Sequence, residues 1–390
     1  MRLRREFVQD PHTLYRRLRT QGPVHQVELH HGLRVWLITR YDDARALLND
    51  PRVSKDNAGA RRLFPPGTAG ANGTSLSANM LHVDPPDHTR LRKLVAKPFT
   101  TRAIARLRPD IEQIVDDLTA ALPTEGTVDL IESFALPLPT RVICTLLGVP
   151  PGDEDRFADW TRPFVTQSNA RELRDAEHAT REYLQQLIAD KRAHPREDML
   201  TELVSATDAG DRLTNSELLS MAFLLIIAGY ETTVNLIGNG MLALLHHPPQ
   251  MRLLRDNPDL LPSAVEEFLR YECPLHTATN RFTLEPVRVG DVEIPAGEFL
   301  LISLLAANRD PNMYPDPDTL DITRDNSTHL AFGHGIHRCL GAPLARLEAE
   351  IAFSKLLNRF PTITLAGDVS YRDSILMRGL NTLPTMLTIT

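Results

Sequence analysis

Residues 221–245, MAFLLIIAGYETTVNLIGNGMLALL, form an apolar stretch that contains one charged side chain, Glu231. A stretch of this length could span a lipid bilayer as a helix. However, Thr232, Thr233, Asn235 and Asn239 lie beside Glu231, where polar groups are costly in lipid, and no cluster of Lys or Arg flanks either end. The pattern favours a helix buried in the core of a large soluble protein, and we expect no membrane span.

This predicted helix has clear signals at both ends. Thr214 and Glu217 have the spacing of a capping box, in which each side chain bonds the backbone of the other residue. Pro248 and Pro249 follow His246 and His247 and would stop the helix. The helix is therefore expected to be roughly 32 residues and ~48 Å long, so that other elements must pack around it.

The remaining chain is predicted to be mostly helical, with short strands near both ends. Two runs around Gly32 predict a hairpin, residues 42–50 a short helix, and residues 56–79 a long loop rich in Gly, Pro, Asn and Ser. Amphipathic patterns predict more helices, and residues 281–305 and the C-terminus look strand-like. We expect a mainly α fold with minor β (α+β), in a single domain spanning residues 1–390.

Composition excludes several classes of protein. The formal net charge is −7, which gives no general attraction to nucleic acid or to an anionic membrane. The three cysteines, Cys144, Cys273 and Cys339, are far apart and form no CxxC pair, so a disulfide framework is not expected. The N-terminus carries basic residues without a following apolar segment, so no signal peptide is predicted and a cytoplasmic location is expected.

The segment HLAFGHGIHRCLGAPLARLE, residues 329–348, points to chemistry at Cys339. Glycines crowd around this cysteine, and a helix is predicted to begin just after it, with an N-terminus that would favour a thiolate. An inert buried cysteine would not explain the glycines. A zinc site of His334, His337 and Cys339 lacks a fourth ligand. A lone thiolate is better suited to be an axial ligand of haem iron.

FGHGIHRCLG resembles the haem-binding signature of the cytochrome P450 family. Its five defined positions are filled by Phe332, Gly335, His337, Cys339 and Gly341. The resemblance implies the P450 fold, with a long central helix over the haem and small β-sheets. It also implies haem b (iron protoporphyrin IX) as cofactor, Cys339 as the iron ligand, and haem contacts from Phe332 and Gly333.

Two further segments resemble structural and catalytic motifs of this family. Glu267-Phe-Leu-Arg270 is similar to its Glu-x-x-Arg motif, and Arg324 lies where the family has the third member of a buried network that braces the thiolate loop. Residues 228–233, AGYETT, resemble the oxygen-activation motif. The resemblance implies that Thr232 and Glu231 are catalytic, with Thr232 bonding reduced dioxygen and Glu231 relaying protons.

The same motif suggests a local change in the long helix. Ala228 and Gly229 would approach the haem, and threonine hydroxyls can bond the preceding turn and bend a helix. We expect the helix to widen there and leave a groove for dioxygen.

The resemblance also suggests ligands for the haem propionates. His88 and Arg92 share a helix face within DPPDHTRLRKLV, and Arg281 and His337 lie at further family positions. Thr283 and Pro286 stand where the family commonly has Ala and Asp, which departs from its pattern near Arg281.

The activity implied is that of a soluble haem-thiolate monooxygenase. It would insert one atom of dioxygen into a lipophilic small molecule by hydroxylation or epoxidation, such as a macrolide or other polyketide, a terpenoid or a steroid. Leu225, Leu275, His276 and Thr277 are expected to line the substrate pocket, with residues 56–79 and 155–175 as mobile covers. The competing interpretations are a haem-thiolate sensor or electron-transfer protein without oxygenase activity, and a peroxide-driven enzyme.

Electrons would come from outside the chain, because no flavin or nicotinamide domain is apparent. The family precedent is a ferredoxin and its ferredoxin reductase. Residues 88–102 carry five basic residues, Lys93 and Lys97 among them, and no acid. This segment is predicted either to dock an acidic partner or to be an ordinary solvated helix face.

Overall fold

The computed structural model describes residues 1–3, 5–29, 32–64, 79–165, 170–208, 210–325 and 328–389. The α-helices, labelled in chain order, are α1 (Pro11–Gln21), α2 (Tyr41–Leu48), α3 (Asn57–Ala60), α4 (Asp87–Val95), α5 (Thr101–Ala105), α6 (Arg108–Ala121), α7 (Pro137–Leu147), α8 (Glu154–Val165), α9 (Ala170–Ala193), α10 (Met199–Ser205), α11 (Asn215–His246), α12 (Pro248–Asp256), α13 (Leu261–Tyr271), α14 (Leu304–Ala307) and α15 (Ala342–Arg359). A π-helical turn, Ile131–Ala135, precedes α7.

The strands are short, and each of the two larger sheets combines strands from distant parts of the chain. They are β1 (Val24–Glu28), β2 (Arg34–Ile38), β3 (Val53–Ser54), β4 (Glu125–Asp129), β5 (Thr207–Asp208), β6 (Asp211–Arg212), β7 (Arg281–Thr283), β8 (Val287–Val289), β9 (Val292–Ile294), β10 (Phe299–Ile302), β11 (Thr362–Leu365) and β12 (Pro384–Thr388). The larger sheets have the orders β1-β2-β10-β7-β3 and β11-β12-β4. The mainly α fold with minor β that the sequence predicts is confirmed.

Helix α11 runs through the core, as its sequence predicts. The Thr214 side chain accepts a hydrogen bond from the Glu217 backbone, and the Glu217 carboxylate accepts one from the Thr214 backbone. By length and apolarity this helix could cross a membrane, but 67% of its most apolar window is buried inside the protein. It packs against α7, α9, α13 and α15, which is the behaviour of a core helix.

The five-stranded sheet joins distant parts of the chain. β3 pairs antiparallel with β7, so that Val53 lies opposite Thr283 and Ser54 opposite Phe282. Continuing this register brings Lys55 next to Arg281. The sheet therefore places Lys55 beside Arg281, although more than two hundred residues separate them in the sequence.

Candidate functional site

A cavity of about 540 Å³ lies where α11 faces the loop that precedes α15. Most of its surface is apolar, with side chains from α4, α7 and α11, from residues 274, 275, 278 and 279, and from residues 376–377. Cys339 and Thr232 both line this space. The cavity therefore brings together the two segments that the sequence marks as chemically important.

The Cys339 loop depends on glycine at two positions. Gly333 and Gly335 have φ values of 68° and 75°, which side chains rarely tolerate. A Cβ on Gly335 would lie 2.6 Å from Asn49 Oδ1, so this glycine also permits close packing against the end of α2. The Cys339 amide donates to the Phe332 carbonyl at 2.8 Å. The loop thus holds the sulfur at a defined place on the cavity wall.

Burial and nearby charges have opposite effects on the Cys339 thiol. Its side chain is accessible because it opens into the cavity, yet burial by surrounding protein raises the pKa of the thiol. The Gly341 backbone amide and the cations of Arg92 and Arg338 oppose this shift without cancelling it. A bound metal cation would favour the thiolate form of Cys339.

Four side chains predicted as propionate ligands meet on one wall of the cavity. His88, Arg92, Arg281 and His337 all line it, and the rings of His88 and His337 lie 4.2 Å apart between centroids. Among the described residues, both ring nitrogens of His88 and Nε2 of His337 are buried without a hydrogen-bond partner. Such groups require a polar ligand, and the carboxylates of haem propionates fit them.

Lys55 belongs to this cluster, although the sequence analysis did not single it out. It is 3% exposed and lines the cavity. Burial and the charge of Arg281 hold the pKa of Lys55 well below its usual value, against the attraction of Asp84. A lysine after a two-residue strand carries no recognisable sequence signal; only the pairing of β3 with β7 brings it here.

The oxygen-activation segment of α11 is regular. Ala228, Gly229, Thr232 and Thr233 line the cavity, and the hydroxyls of Thr232 and Thr233 donate to the Ala228 and Gly229 carbonyls at 2.8 and 3.2 Å. The helix is α-helical at every residue from Asn215 to His246, so the predicted widening is wrong for this structure. These hydroxyl bonds form without displacing the backbone bonds of the helix.

Glu231 points away from the cavity wall and is buried against the C-terminal part of the chain. Its Oε1 lies 3.0 Å from Nη1 of Arg372. Burial raises the pKa of Glu231 to about 7, and the guanidinium of Arg372 opposes that rise. This carboxyl group can therefore gain and lose a proton near neutral pH.

The predicted structural network of Glu267, Arg270 and Arg324 is present in the structure. Arg270 donates twice to the Glu267 carboxylate, at 2.7 and 2.8 Å, and both side chains are fully buried. Arg324 Nε lies 3.7 Å from the same carboxylate. Arg270 also donates to the carbonyls of Asn308, Pro317 and Thr319. The network ties α13 to the segment that leads towards the cysteine loop.

Two of the four predicted pocket residues do not line the cavity. Leu225 and Leu275 do, whereas His276 is fully buried with its Nε2 2.5 Å from the Tyr15 hydroxyl. Thr277 donates to the Ile375 carbonyl at 2.9 Å. The chain bends at His276, so that Leu275 bridges to Met377 on the cavity whereas Thr277 bridges to Ser303. The predictions for His276 and Thr277 are therefore wrong.

The structure adds pocket residues from the C-terminal segment. Leu376 and Met377 line the cavity, and Met377 pairs with Leu275 through an isolated β-bridge. Of the predicted covers, residues 65–78 and 166–169 lie outside the described residues. Residues 57–60 and 154–165 form α3 and α8.

Comparisons with known proteins agree with this geometry. The sequence model of the family "Cytochrome P450" matches residues 154–373. Cytochrome P450 107B1 of Saccharopolyspora erythraea is 50% identical over 97% of this chain and 95% of its own length. The polyketide biosynthesis cytochrome P450 PksS of Bacillus subtilis is 42% identical over 98% of this chain and 97% of its own.

A solved structure has the same level of sequence identity to this chain as the first of these relatives. The P450 monooxygenase TamI with bound tirandamycin C superposes with a TM-score of 0.92, at 50% identity and with full coverage of both chains. Identity at this level over the whole chain accompanies the same fold. This chain belongs to the cytochrome P450 family of haem-thiolate monooxygenases.

Proposed function

We propose that this monooxygenase inserts one oxygen atom into a lipophilic small molecule that binds between α11 and the Cys339 loop. The observation that carries the proposal is that Cys339 and Thr232 line one cavity with mostly apolar walls. Such walls favour a ligand that buries apolar surface. The insertion would produce an alcohol or an epoxide.

The cofactor proposed is haem b. Cys339 would bind the iron, Phe332 and Gly333 would lie against the macrocycle, and Ala228 and Gly229 would face it from α11, since all line the cavity. The propionates would be bound by the cationic wall, which consists of Lys55, His88, Arg92, Arg281 and His337. Bound in this way, haem supplies the activation of dioxygen, and a thiolate ligand favours O–O cleavage.

The chain itself supplies protons and excludes water. Thr232 Oγ1 lies on the cavity wall and donates to the Ala228 carbonyl, so rotation about χ1 would turn this proton towards a ligand. Glu231 immediately precedes Thr232 in the chain and holds an exchangeable proton near neutral pH. We propose that Thr232 delivers protons within the cavity and that Glu231 replenishes them from the far side of α11.

The substrate proposed is a secondary metabolite such as a macrolide or other polyketide, a terpenoid or a steroid. PksS is named for polyketide biosynthesis, and the structure of TamI contains tirandamycin C. The cavity of about 540 Å³ would hold the haem and this substrate together, because it is lined by the residues proposed to bind each of them. Leu225, Leu275, Leu376 and Met377 would contact this substrate.

The proposed redox partners are a ferredoxin and its reductase in the cytoplasm, with the chain acting as a single domain. Within residues 88–102, Lys93, Lys97 and Arg102 are exposed. Arg92 lines the cavity, and Arg90 pairs with Asp211 and Glu217. The docking surface is therefore smaller than the sequence suggests and consists of Lys93, Lys97 and Arg102.

Replacing Thr232 tests the proposed proton delivery. The holoenzyme of Thr232→Ala should still consume dioxygen and reductant but release hydrogen peroxide in place of hydroxylated product. The ratio of product to dioxygen consumed should fall by about 10-fold or more relative to the wild type. Thr233→Ala is the matched control, because Thr233 makes the same kind of bond one residue along α11. A Thr232→Ala enzyme that keeps full coupling of oxygen consumption to product would contradict the proposal.

A further inference from the structure

The C-terminal loop, residues 371–380, has its tip on the cavity and its base against Glu231. Tyr371 and Leu380 form an antiparallel bridge that closes the loop, and the Arg372 amide donates to the Gly379 carbonyl at 2.8 Å. Leu376 and Met377, near its tip, line the cavity. Arg372, at its base, faces the polar side of α11.

The Arg372 guanidinium spans one turn of α11. Nη1 lies 3.0 Å from Glu231 Oε1, and Nη2 donates to Asn235 Oδ1. Glu231 and Asn235 are four residues apart and share one helix face. Both partners of the ion pair are largely buried, with 16% of the Arg372 side chain and 10% of the Glu231 side chain exposed. An ion pair so shielded from water is screened little by salt.

Several contacts hold the loop in this position. Asn239 on α11 donates to the Arg378 carbonyl at 2.8 Å, and Arg378 pairs with the buried Glu272 at 2.6 Å. A Cβ on Gly379 would collide with Asn235 Oδ1 and with Nη2 of Arg372. Glycine at this position therefore leaves the space in which the guanidinium reaches α11.

The electrostatics of Glu231 depend on this contact. Within the described part of the chain, Arg372 is the charged group that acts on Glu231, and its effect opposes that of burial. Losing the guanidinium would leave a buried carboxyl group whose charged form has no compensating cation. Glu231 would then hold its proton to higher pH.

We propose that Arg372 is a positioning residue that fixes the Glu231 carboxylate for proton transfer along α11, and that it does so from the same loop that contacts substrate. The inference rests on the proposed role of Glu231. Arg372 touches neither the cavity nor, on this proposal, the reacting atoms. It acts by keeping Glu231 oriented and able to release its proton.

Infrared titration of the holoenzyme tests this directly. The carbonyl stretch of protonated Glu231 is identified as the band that Glu231→Gln removes. In the wild type this band should disappear as pH rises through about 7. In Arg372→Met the midpoint should rise by at least one pH unit, a tenfold change in proton affinity. In Arg372→Lys, which keeps a cation, it should stay near the wild-type value.

Two controls distinguish the loss of the Arg372 contact from general disruption of the protein. Arg359→Met removes an exposed arginine from the last turn of α15 and should leave the midpoint unchanged. The spectrum of the reduced carbon monoxide complex should be the same in every variant, because Arg372 lies away from Cys339. An unchanged midpoint in Arg372→Met, with the Glu231 band present, would overturn the inference.

The titration needs no turnover, so it is independent of the proposed function. If the midpoint shifts in Arg372→Met but Glu231→Gln leaves coupling unaltered, Arg372 still positions Glu231 and only the proton-relay role fails. If Arg372→Met does not yield folded holoenzyme, Arg372→Gln provides the neutral variant. A midpoint in Arg372→Gln equal to that of the wild type would overturn the inference in the same way.

Discussion

Lys55 occupies an environment that a lysine tolerates only with an anion nearby. It is buried beside Arg281, and its charge also acts on His88 and His337. Asp84 gives partial compensation, since its carboxylate is also committed to the Ser54 hydroxyl and the Lys55 amide. A buried ammonium group surrounded by other basic groups costs free energy, which a propionate carboxylate would offset.

Replacing this lysine should have opposite effects on the two forms of the protein. In Lys55→Met holoenzyme we expect haem to transfer to an apomyoglobin scavenger about 10- to 100-fold faster, because one charge-assisted hydrogen bond of about 1.5–3 kcal/mol is lost. The haem-free protein should resist urea at least as well as the wild type, because an uncompensated buried charge has been removed.

Lys355→Met is the matched control for this experiment. Lys355 is a partly exposed lysine of α15 that pairs with Asp116. Its replacement should not change the rate of haem transfer. A Lys55→Met protein that retains haem as long as the wild type would show that Lys55 does not bind a propionate.

At the scale of elements, α13 and the chain after α14 depend on one buried carboxylate. Glu267 accepts two bonds from Arg270, accepts the Asp321 amide at 2.8 Å and lies near Arg324. The pair spans i and i+3 on α13, so the helix itself places both groups. The carbonyls that Arg270 binds lie in the segment that continues to the Cys339 loop.

We expect Glu267→Gln to lower the free energy of unfolding by about 3–5 kcal/mol, because the Arg270 guanidinium would remain buried without a compensating charge. Urea unfolding followed by circular dichroism measures this change. Glu112→Gln breaks an exposed i,i+4 pair with Arg108 and should cost less than about 0.5 kcal/mol. Equal losses in the two variants would contradict a bracing role for Glu267.

At the scale of the whole molecule, the exposed cations of the α4 region stand out on an acidic protein. The chain has a net charge of −7, yet Lys93, Lys97 and Arg102 are exposed close together in sequence. Arg92, on the same helix as Lys93, faces the cavity. A partner that docks at this surface would therefore lie near the proposed binding site of the haem propionates.

Neutralising Lys93 and Lys97 together should slow reduction by a small acidic [2Fe–2S] ferredoxin by about 10-fold at low ionic strength. The difference should shrink as salt is added, because exposed charges are screened. Stopped-flow formation of the carbon monoxide complex measures the rate. Lys355→Gln with Arg359→Gln serves as the control pair, and a double variant reduced at the wild-type rate in low salt would argue against docking here.

Elements with local signals can be predicted from the amino-acid sequence. The capping box at Thr214 and the prolines after His247 set the length of α11, and the glycines around Cys339 mark its loop. The spacing of Glu267 and Arg270 places them on one helix face. These features need only neighbouring residues, so the family, the fold and the position of Cys339 follow from them.

Contacts between distant side chains depend on the tertiary fold and are not predicted by local patterns. The pairing of β3 with β7 brings Lys55 to Arg281, and the closure of the C-terminal loop brings Arg372 to Glu231. The direction of the chain after α13 turns His276 towards Tyr15 and leaves Leu275 on the cavity. Burial and charge at these places depend on packing between segments far apart in the chain, which local patterns do not encode.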